Sequence, residues 1–258
     1  MNPKREHPLT YSVHSRLREH YLAKAFFGTP GGKLLDVGSG LGYLTEACRP
    51  YFDTYGVERD IRSVCQSRER GAGHMVQSDA SRLPYKAAAF DRIVCSEVLE
   101  HLPDGVDRET LVDIGRVTKE GGQIFITVPA KEGIRSGSRL RNLGHDDPSG
   151  GEFHYRSGYT AAELLTMVAG IPGLRVKSRR YSMVLCAEIF MDLLKWLYAK
   201  KYSMKEHSDI MEIKNTISFA VCKTLFPALL GFFLFEDRLF ARLLKGHILI
   251  VVLEKVAV

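Results

Sequence analysis

Leu34-Leu35-Asp36-Val37-Gly38-Ser39-Gly40-Leu41-Gly42-Tyr43-Leu44-Thr45 decides how the rest of the chain is read. It begins as a short apolar strand, passes through a turn with glycine at every second position, and ends at the start of a helix. Glycine lets the backbone take positive φ and lets a ligand approach with no Cβ in the way. The helix that follows turns its free N–H groups and positive dipole end back on the turn. Such a turn suits a polar or anionic group at the carboxyl end of a parallel strand. An ordinary tight loop between strand and helix would use the same glycines, so the neighbouring sequence has to decide.

The spacing argues against a dinucleotide fingerprint, G-x-G-x-x-G, whose third glycine permits close helix–strand packing. Here that third place is Tyr43, an extra glycine sits at Gly42, and an acidic residue, Asp36, lies two places before the first glycine. A carboxylate there is badly placed for a pyrophosphate and well placed for a cationic, amino-acid-like ligand. Asp36-x-Gly38-x-Gly40-x-Gly42 resembles the first motif of the class I S-adenosylmethionine-dependent methyltransferases. In that family the turn cradles the methionine part of the cofactor, usually with help from the acidic residue.

Further motifs follow in the family's order. After a helix through about Arg49, the strand Thr54-Tyr55-Gly56-Val57-Glu58 closes on Glu58, 22 positions beyond Asp36. An acidic residue about 20 positions on can accept hydrogen bonds from both ribose hydroxyls, in nicotinamide and adenosylmethionine enzymes alike. Ile61 to Glu69 reads as a helix and His74-Met75-Val76 as a third strand. In Asp79-Ala80-Ser81-Arg82-Leu83-Pro84, the resemblance implies the loop that binds adenine, the carboxylate taking the exocyclic amine; an Asx-type loop cap is the local alternative. The strand Phe90 to Ser96 runs into Glu97-Val98-Leu99-Glu100-His101-Leu102, like the family's fourth motif, whose backbone lines the cofactor near the sulfonium. His101 is a candidate general base there, or part of the loop architecture. A helix from Arg108 to Thr118, Gly121-Gly122 and the strand Gln123 to Pro129 complete a resemblance running from about 33 to 129.

The resemblance thus implies cofactor contacts from Asp36, Gly38, Ser39, Gly40, Gly42, Glu58, Arg59, Asp79, Ala80, Cys95 and Ser96, with S-adenosylmethionine as cofactor and no metal. The polar, glycine-rich stretch from Ala130 to Gly158 lies where the family commonly positions substrate, and a loop this long is usually functional or disordered. His145, His154, Tyr155 and Tyr159 are its candidates for orienting or deprotonating an acceptor, each with a structural role as the alternative. Tyr159 to Leu165 opens a helix ending at Gly170, and Leu174 to Ser178 makes a sixth strand.

The chain has 258 residues, 45% of them hydrophobic, enough for one sizeable core and an appendage. Its net charge of +6 permits contact with nucleic acid or an anionic membrane face and demands neither. The five cysteines are scattered with no C-x-x-C, which suggests neither a zinc site nor a disulfide framework. Met1 to His7 is polar with no apolar run, so a reducing cytoplasm is the expectation.

Residues from about 10 to 27 read as an amphipathic helix or helix pair, and His247 to Lys255 as the last strand. Between the sixth strand and the last stands an insertion of roughly 60 residues, with apolar runs at Met183 to Ala199 and Ile217 to Phe235. Three readings stand for it: a helical lid or homodimer surface, a monotopic patch that dips into a bilayer to fetch a lipidic acceptor, or a transmembrane segment. Lys223, Pro227 and the return to the same sheet argue against the last.

The expected architecture is a doubly wound, mostly parallel seven-stranded α/β sheet with one antiparallel strand and a helical insertion before it. Its parts are an N-terminal helical cap (1–32), the core (33–182), the insertion (183–246) and the last strand (247–258). The expected function is S-adenosylmethionine-dependent methyl transfer to a small-molecule or lipid-like acceptor, in the cytoplasm or peripherally on the inner face of a membrane. RNA is not the expected acceptor, since no aromatic–basic platform is present. An RNA or protein methyltransferase and a non-catalytic scaffold are the alternatives.

Overall fold

The computed structural model describes residues 13–133, 155–190, 193, 217–241 and 243–257. Strands buried on both faces of a parallel sheet are unbroken apolar runs, and the central strands have that pattern. In chain order the elements are α1 (Val13–Phe26), β1 (Lys33–Val37), α2 (Tyr43–Cys48), β2 (Asp53–Glu58), α3 (Ile61–Glu69), β3 (His74–Gln77), β4 (Phe90–Ser96), a 3-10 turn (Leu99–His101), α4 (Val106–Val117) and β5 (Thr118–Pro129). They continue with α5 (Ala161–Ala169), β6 (Leu174–Ser182), α6 (residues 185–190), α7 (Ile217–Phe240) and β7 (Ile248–Lys255).

The seven strands form one sheet in the order β3-β2-β1-β4-β5-β7-β6. β1 pairs in parallel with β2 and β4, β2 with β3, and β4 with β5. β7 runs antiparallel to β5 from Ile248 opposite Pro129 to Glu254 opposite Gln123. The doubly wound α/β sheet expected from the sequence is therefore the fold. Its strand order reverses between β1 and β4, which opens a crevice at their carboxyl ends. The core is built from Leu34, Leu35, Ile93, Val94, Ile124 and Phe125 on the central strands.

Local chemistry sets the element ends. Asp60 caps α3 by accepting from the Ser63 N–H, and Thr160 with Glu163 forms a reciprocal capping box on α5. Lys255 on β7 donates to the carbonyls of Gly115 and Thr118 at the end of α4, where a cation meets the negative end of the helix dipole. Lys119-Glu120-Gly121-Gly122, expected as a break before the fifth strand, lies inside β5 as an irregularity: Phe90 pairs with Thr118, yet Arg92 pairs with Gln123. Gly121 absorbs that jump at φ +71°.

The chain divides into two compact units. Among the described residues the larger comprises 21–132, 155–180 and 248–257, and the smaller 13–20, 133, 181–190, 193, 217–241 and 243–247. In the smaller unit α6 and α7 pack through Phe190 on Phe233, with ring centroids 5.4 Å apart. Two carboxylates of α7 are turned inward there. Asp237 accepts from the Ser182 hydroxyl and the Val184 N–H, and Glu236 from the Cys186 N–H, so both satisfy orphan donors at the start of α6. Among the described residues no helix is long and apolar enough to cross a membrane, which removes the transmembrane reading of Ile217 to Phe235.

Candidate functional site

All the described candidates lie in the larger unit, at the carboxyl ends of β1, β2, β3 and β4 and in the loop leading to α5. Gly38, Gly40 and Gly42 take φ of +68°, +51° and +75°, so the turn needs glycine for its backbone alone. The N–H groups of Gly38 and Ser39 both donate to the Val57 carbonyl, at 2.8 and 3.0 Å, which ties the turn to β2. The three glycines nevertheless face different surroundings. A Cβ on Gly38 would lie 2.4 Å from Val98, and one on Gly42 would lie 2.8 Å from Ala72 and 3.0 Å from Ser67. A Cβ on Gly40 would meet nothing within 4 Å. Packing explains two of the glycines. The third faces open space.

Glu58 joins the end of β2 to that turn. Its Oε2 accepts from the Gly40 N–H and its Oε1 from the Asp60 N–H, both at 2.9 Å. Each carboxylate oxygen keeps a second lone pair for a hydroxyl donor. On the neighbouring strand end, Asp79 Oδ1 accepts from the N–H and the hydroxyl of Ser81, at 2.8 and 2.6 Å. The Ser81 hydroxyl bond first, then the Ser81 N–H and the charge of nearby Arg59, hold this carboxyl below its ordinary pKa. This is the Asx-type turn, and both of its bonds fall on Oδ1. Arg59 is exposed and Ala80 half-buried beside it.

Asp36 is 2% exposed, and its Oδ2 accepts from the Thr45 hydroxyl at 2.6 Å. That bond ties the end of β1 to the first turn of α2. Cys95 is fully buried. Burial first, then the charges of Glu100, Asp36 and Glu97, push its thiol far above the usual range. Its side chain is closed to a ligand and only its backbone can line one. Asp36 on β1 and Glu97 and Glu100 just past β4 stand on the two strands that flank the crevice.

Glu97 and Thr127 belong to this place and were not singled out by sequence reasoning. Glu97 takes φ +57°, unusual for a residue with a Cβ, immediately after β4. Its N–H donates to the Thr127 carbonyl at 2.9 Å, the Thr127 hydroxyl donates to Glu97 Oε1 at 2.8 Å, and the Ser96 hydroxyl lies 2.9 Å from that of Thr127. Non-glycine strain of this kind collects at functional sites. The sequence carries no local trace of it, because the partners are some 30 positions apart on neighbouring strands.

The acceptor candidates separate. His101 is half-buried in the 3-10 turn beside this cluster, its N–H donating to the Val98 carbonyl. His145 and His154 lie outside the described residues. Tyr155 is exposed, its N–H donating to the Glu100 carbonyl. Tyr159, expected near an acceptor, is instead fully buried, with its hydroxyl 2.8 Å from Asp107 Oδ2 and 3.1 Å from the Leu99 carbonyl oxygen. Burial and the Asp107 carboxylate push its phenol far above the ordinary value. Arg156 lies over the Tyr159 ring at 4.7 Å and pairs with Asp104 and Asp107. Tyr159 is thus a pin between the 3-10 turn and α4, unable to reach an acceptor. Among the described residues no group of His, Cys, Asp and Glu is disposed to hold a metal ion.

The fold is shared with solved structures of low identity. The [4+2]-cyclase SpnF is 20% identical, with a TM-score of 0.58 over 95% of this chain and 82% of that one. An S-adenosylmethionine-dependent methyltransferase from Thermotoga maritima is 15% identical, with a TM-score of 0.56 over 94% of this chain and 91% of that one. Among curated relatives, a ubiquinone biosynthesis O-methyltransferase of Cronobacter sakazakii is 30% identical over 118 residues, 43% of this chain and 48% of its own length. A protein named an uncharacterized methyltransferase, from Mycobacterium sp. (strain JLS), is 30% identical over 145 residues, 55% of this chain and 53% of its own. The chain spans about half the length of these curated relatives. The family model described as "Methyltransferase domain" matches residues 11–168, well over half of the sequence, and with the glycine turn and the acidic strand ends in place the chain belongs to the class I S-adenosylmethionine-dependent methyltransferases.

Proposed function

We propose that the chain binds S-adenosylmethionine across the turn from Gly38 to Gly42 and catalyses transfer of its methyl group to a small, lipid-like acceptor. The observation that carries this is Gly40: it is held at positive φ with open space where a side chain would stand, while the glycines on either side are packed. When bound, S-adenosylmethionine supplies a methyl group on a positively charged sulfur, an electrophile that needs alignment more than activation. Gly40 admits the ligand to the backbone. Glu58 accepts from the ribose hydroxyls, and Asp79 through Oδ2 accepts from the adenine amine. Arg59, Ala80, Ser39, Ser96 and the backbone of Cys95 line the remainder.

Asp36, Glu97 and Glu100 favour the cationic form of the ligand over the neutral product, so their field contributes to binding and to product release more than to the chemical step. Acceleration then comes from holding the acceptor in line and keeping water out, an effect worth on the order of 7–11 kcal/mol for well-oriented reactants. A base is needed only if the acceptor must lose a proton, and His101 is the described residue best situated for that.

A small-molecule acceptor is supported by the relatives named ubiquinone biosynthesis O-methyltransferase; the exposed apolar helices of the smaller unit support a lipid-like one. The test is methyl-labelled S-adenosylmethionine with the purified protein and a cell extract, separated into lipid, small-molecule, nucleic-acid and protein fractions. Label in the lipid or small-molecule fraction is the expected result. Label in RNA or protein would overturn the acceptor class, and no label from a protein that binds the cofactor would favour the scaffold alternative.

A further inference from the structure

α7 is built inside out. On its buried side stand Phe226, Phe233 and the two acids Glu236 and Asp237, which are held by α6 and the residues before it. On its other side Leu225, Phe232, Phe235 and Leu239 fall at helical spacing, and each is about half exposed, from 48% to 58%. α6, packed against α7, adds Leu185 and Ile189 four positions apart, at 42% and 50%. Just past the end of α7, Leu243 is 81% exposed. An apolar surface this extended marks an interaction site.

We infer that this face rests on an anionic lipid bilayer, with α7 lying in the interface rather than crossing it. Three observations carry the choice of occupant. First, the acids have been removed from the surface: among the described residues the exposed charges of α7 and its exit are Arg238 and Lys245, both basic, on a chain of net charge +6. Apolar side chains edged by cations complement the interface of an anionic leaflet. Second, no described helix can span a bilayer. Third, a second copy of this chain is a poorer match. A two-fold interface sets the same patch against itself, so it brings no exposed acid of this helix opposite Arg238 and Lys245, since Glu236 and Asp237 are buried. The inference stands independently of the methyl acceptor.

The test is flotation of the full chain with vesicles of phosphatidylcholine alone and of phosphatidylcholine with phosphatidylglycerol. The unmodified protein should float with the anionic vesicles, bind at least several-fold less to the neutral ones, and lose binding as salt is raised, since charge attraction is screened. The double substitution Phe232→Ser with Phe235→Ser, which alters only exposed side chains, should weaken anionic-vesicle binding by about tenfold or more. Arg238→Glu should weaken it without touching the apolar face, which keeps the question answerable if the double variant loses helix content. S-adenosylhomocysteine binding should be unchanged in both variants, so a failed membrane assay and a failed cofactor assignment are told apart. Absence of flotation with anionic vesicles, or equal flotation of all three proteins, overturns the inference. A dimer in sedimentation that the double variant dissolves, with no vesicle binding, would overturn it in favour of a second copy.

Discussion

Replacing Gly40 by valine separates a glycine kept for a ligand from a glycine kept for packing. The backbone at Gly40 sits at φ +51°, and a β-branched residue there costs about 1–3 kcal/mol of strain. The Cβ itself adds no clash, because nothing beyond the chain neighbours lies within 4 Å of it. For a chain of this size the cost corresponds to a fall in Tm of roughly 3–10 °C. Gly38→Ala adds a smaller side chain yet should destabilise as much or more, since its Cβ would stand 2.4 Å from Val98 and overpacking adds about 1–3 kcal/mol to the backbone strain. Ligand-induced stabilisation supplies the assay. At about a hundred times Kd, S-adenosylhomocysteine should stabilise the unmodified protein by about 2.7 kcal/mol, several degrees in a thermal melt. Gly40→Val should fold and show none of that increment. Gly38→Ala should regain part of its lost Tm when combined with Val98→Ala, since the two changes share one contact. A Gly40→Val protein that melts only slightly lower and still gains the full increment would refute the assignment of the open space to the cofactor.

Asp79→Asn keeps an oxygen for the Ser81 donors and removes the charge, so cofactor affinity should fall with the loop intact, whereas Ser81→Ala should raise the Asp79 pKa toward its ordinary value, as read by NMR titration. Because Ser81 lowers that pKa, the stabilisation from an ionised Asp79 is present above the ordinary carboxylate range and is lost as pH falls through the lowered folded value. Cofactor binding should weaken over the same acidic interval, and a binding curve flat across it would remove Asp79 from the site. Asp36→Asn retains a partner for Thr45 and deletes a buried charge, so the affinity for cationic S-adenosylmethionine should drop roughly tenfold more than that for neutral S-adenosylhomocysteine. Equal losses for the two ligands in calorimetry would contradict the field attributed to it. Tyr159→Phe takes one hydroxyl from the buried Asp107 carboxylate and should cost about 1–3 kcal/mol of stability, with turnover of the folded fraction unchanged; an unchanged Tm with lost turnover would return Tyr159 to the chemistry.

The glycine turn, Glu58 and Asp79 were legible because each sits at a strand end whose order in the chain repeats its order in the fold: β1, β2 and β3 are neighbours in the sheet. The apolar runs of β4, β5 and β7 were legible for the same physical reason, burial on both faces. Tyr159 was not, because an aromatic hydroxyl after a polar loop looks the same whether it faces solvent or pins a core. Its burial depends on Asp107 and Leu99, more than 50 positions away. Glu97 escaped notice likewise, since its positive φ is set by the hydrogen bonds with Thr127 across two strands. Glu236 and Asp237 follow an apolar run whose sequence gives them no role, and their inward turn depends on N–H groups at the start of α6, some 50 positions away.

The fold alone does not select the reaction, since a chain of the same architecture is named a [4+2]-cyclase. What distinguishes a site for a cationic methyl donor is charge. Buried carboxylates are costly unless something compensates them, and Asp36 and Glu100 are 2% and 1% exposed at the crevice between β1 and β4, with Glu97 half-buried beside them. Thr45 and Thr127 provide hydroxyl donors to Asp36 and Glu97, which offsets part of the cost of burying them. In the function proposed above, carboxylates placed here favour a sulfonium over the thioether left after transfer. On that proposal the acids act on the donor and its product without having to touch the acceptor.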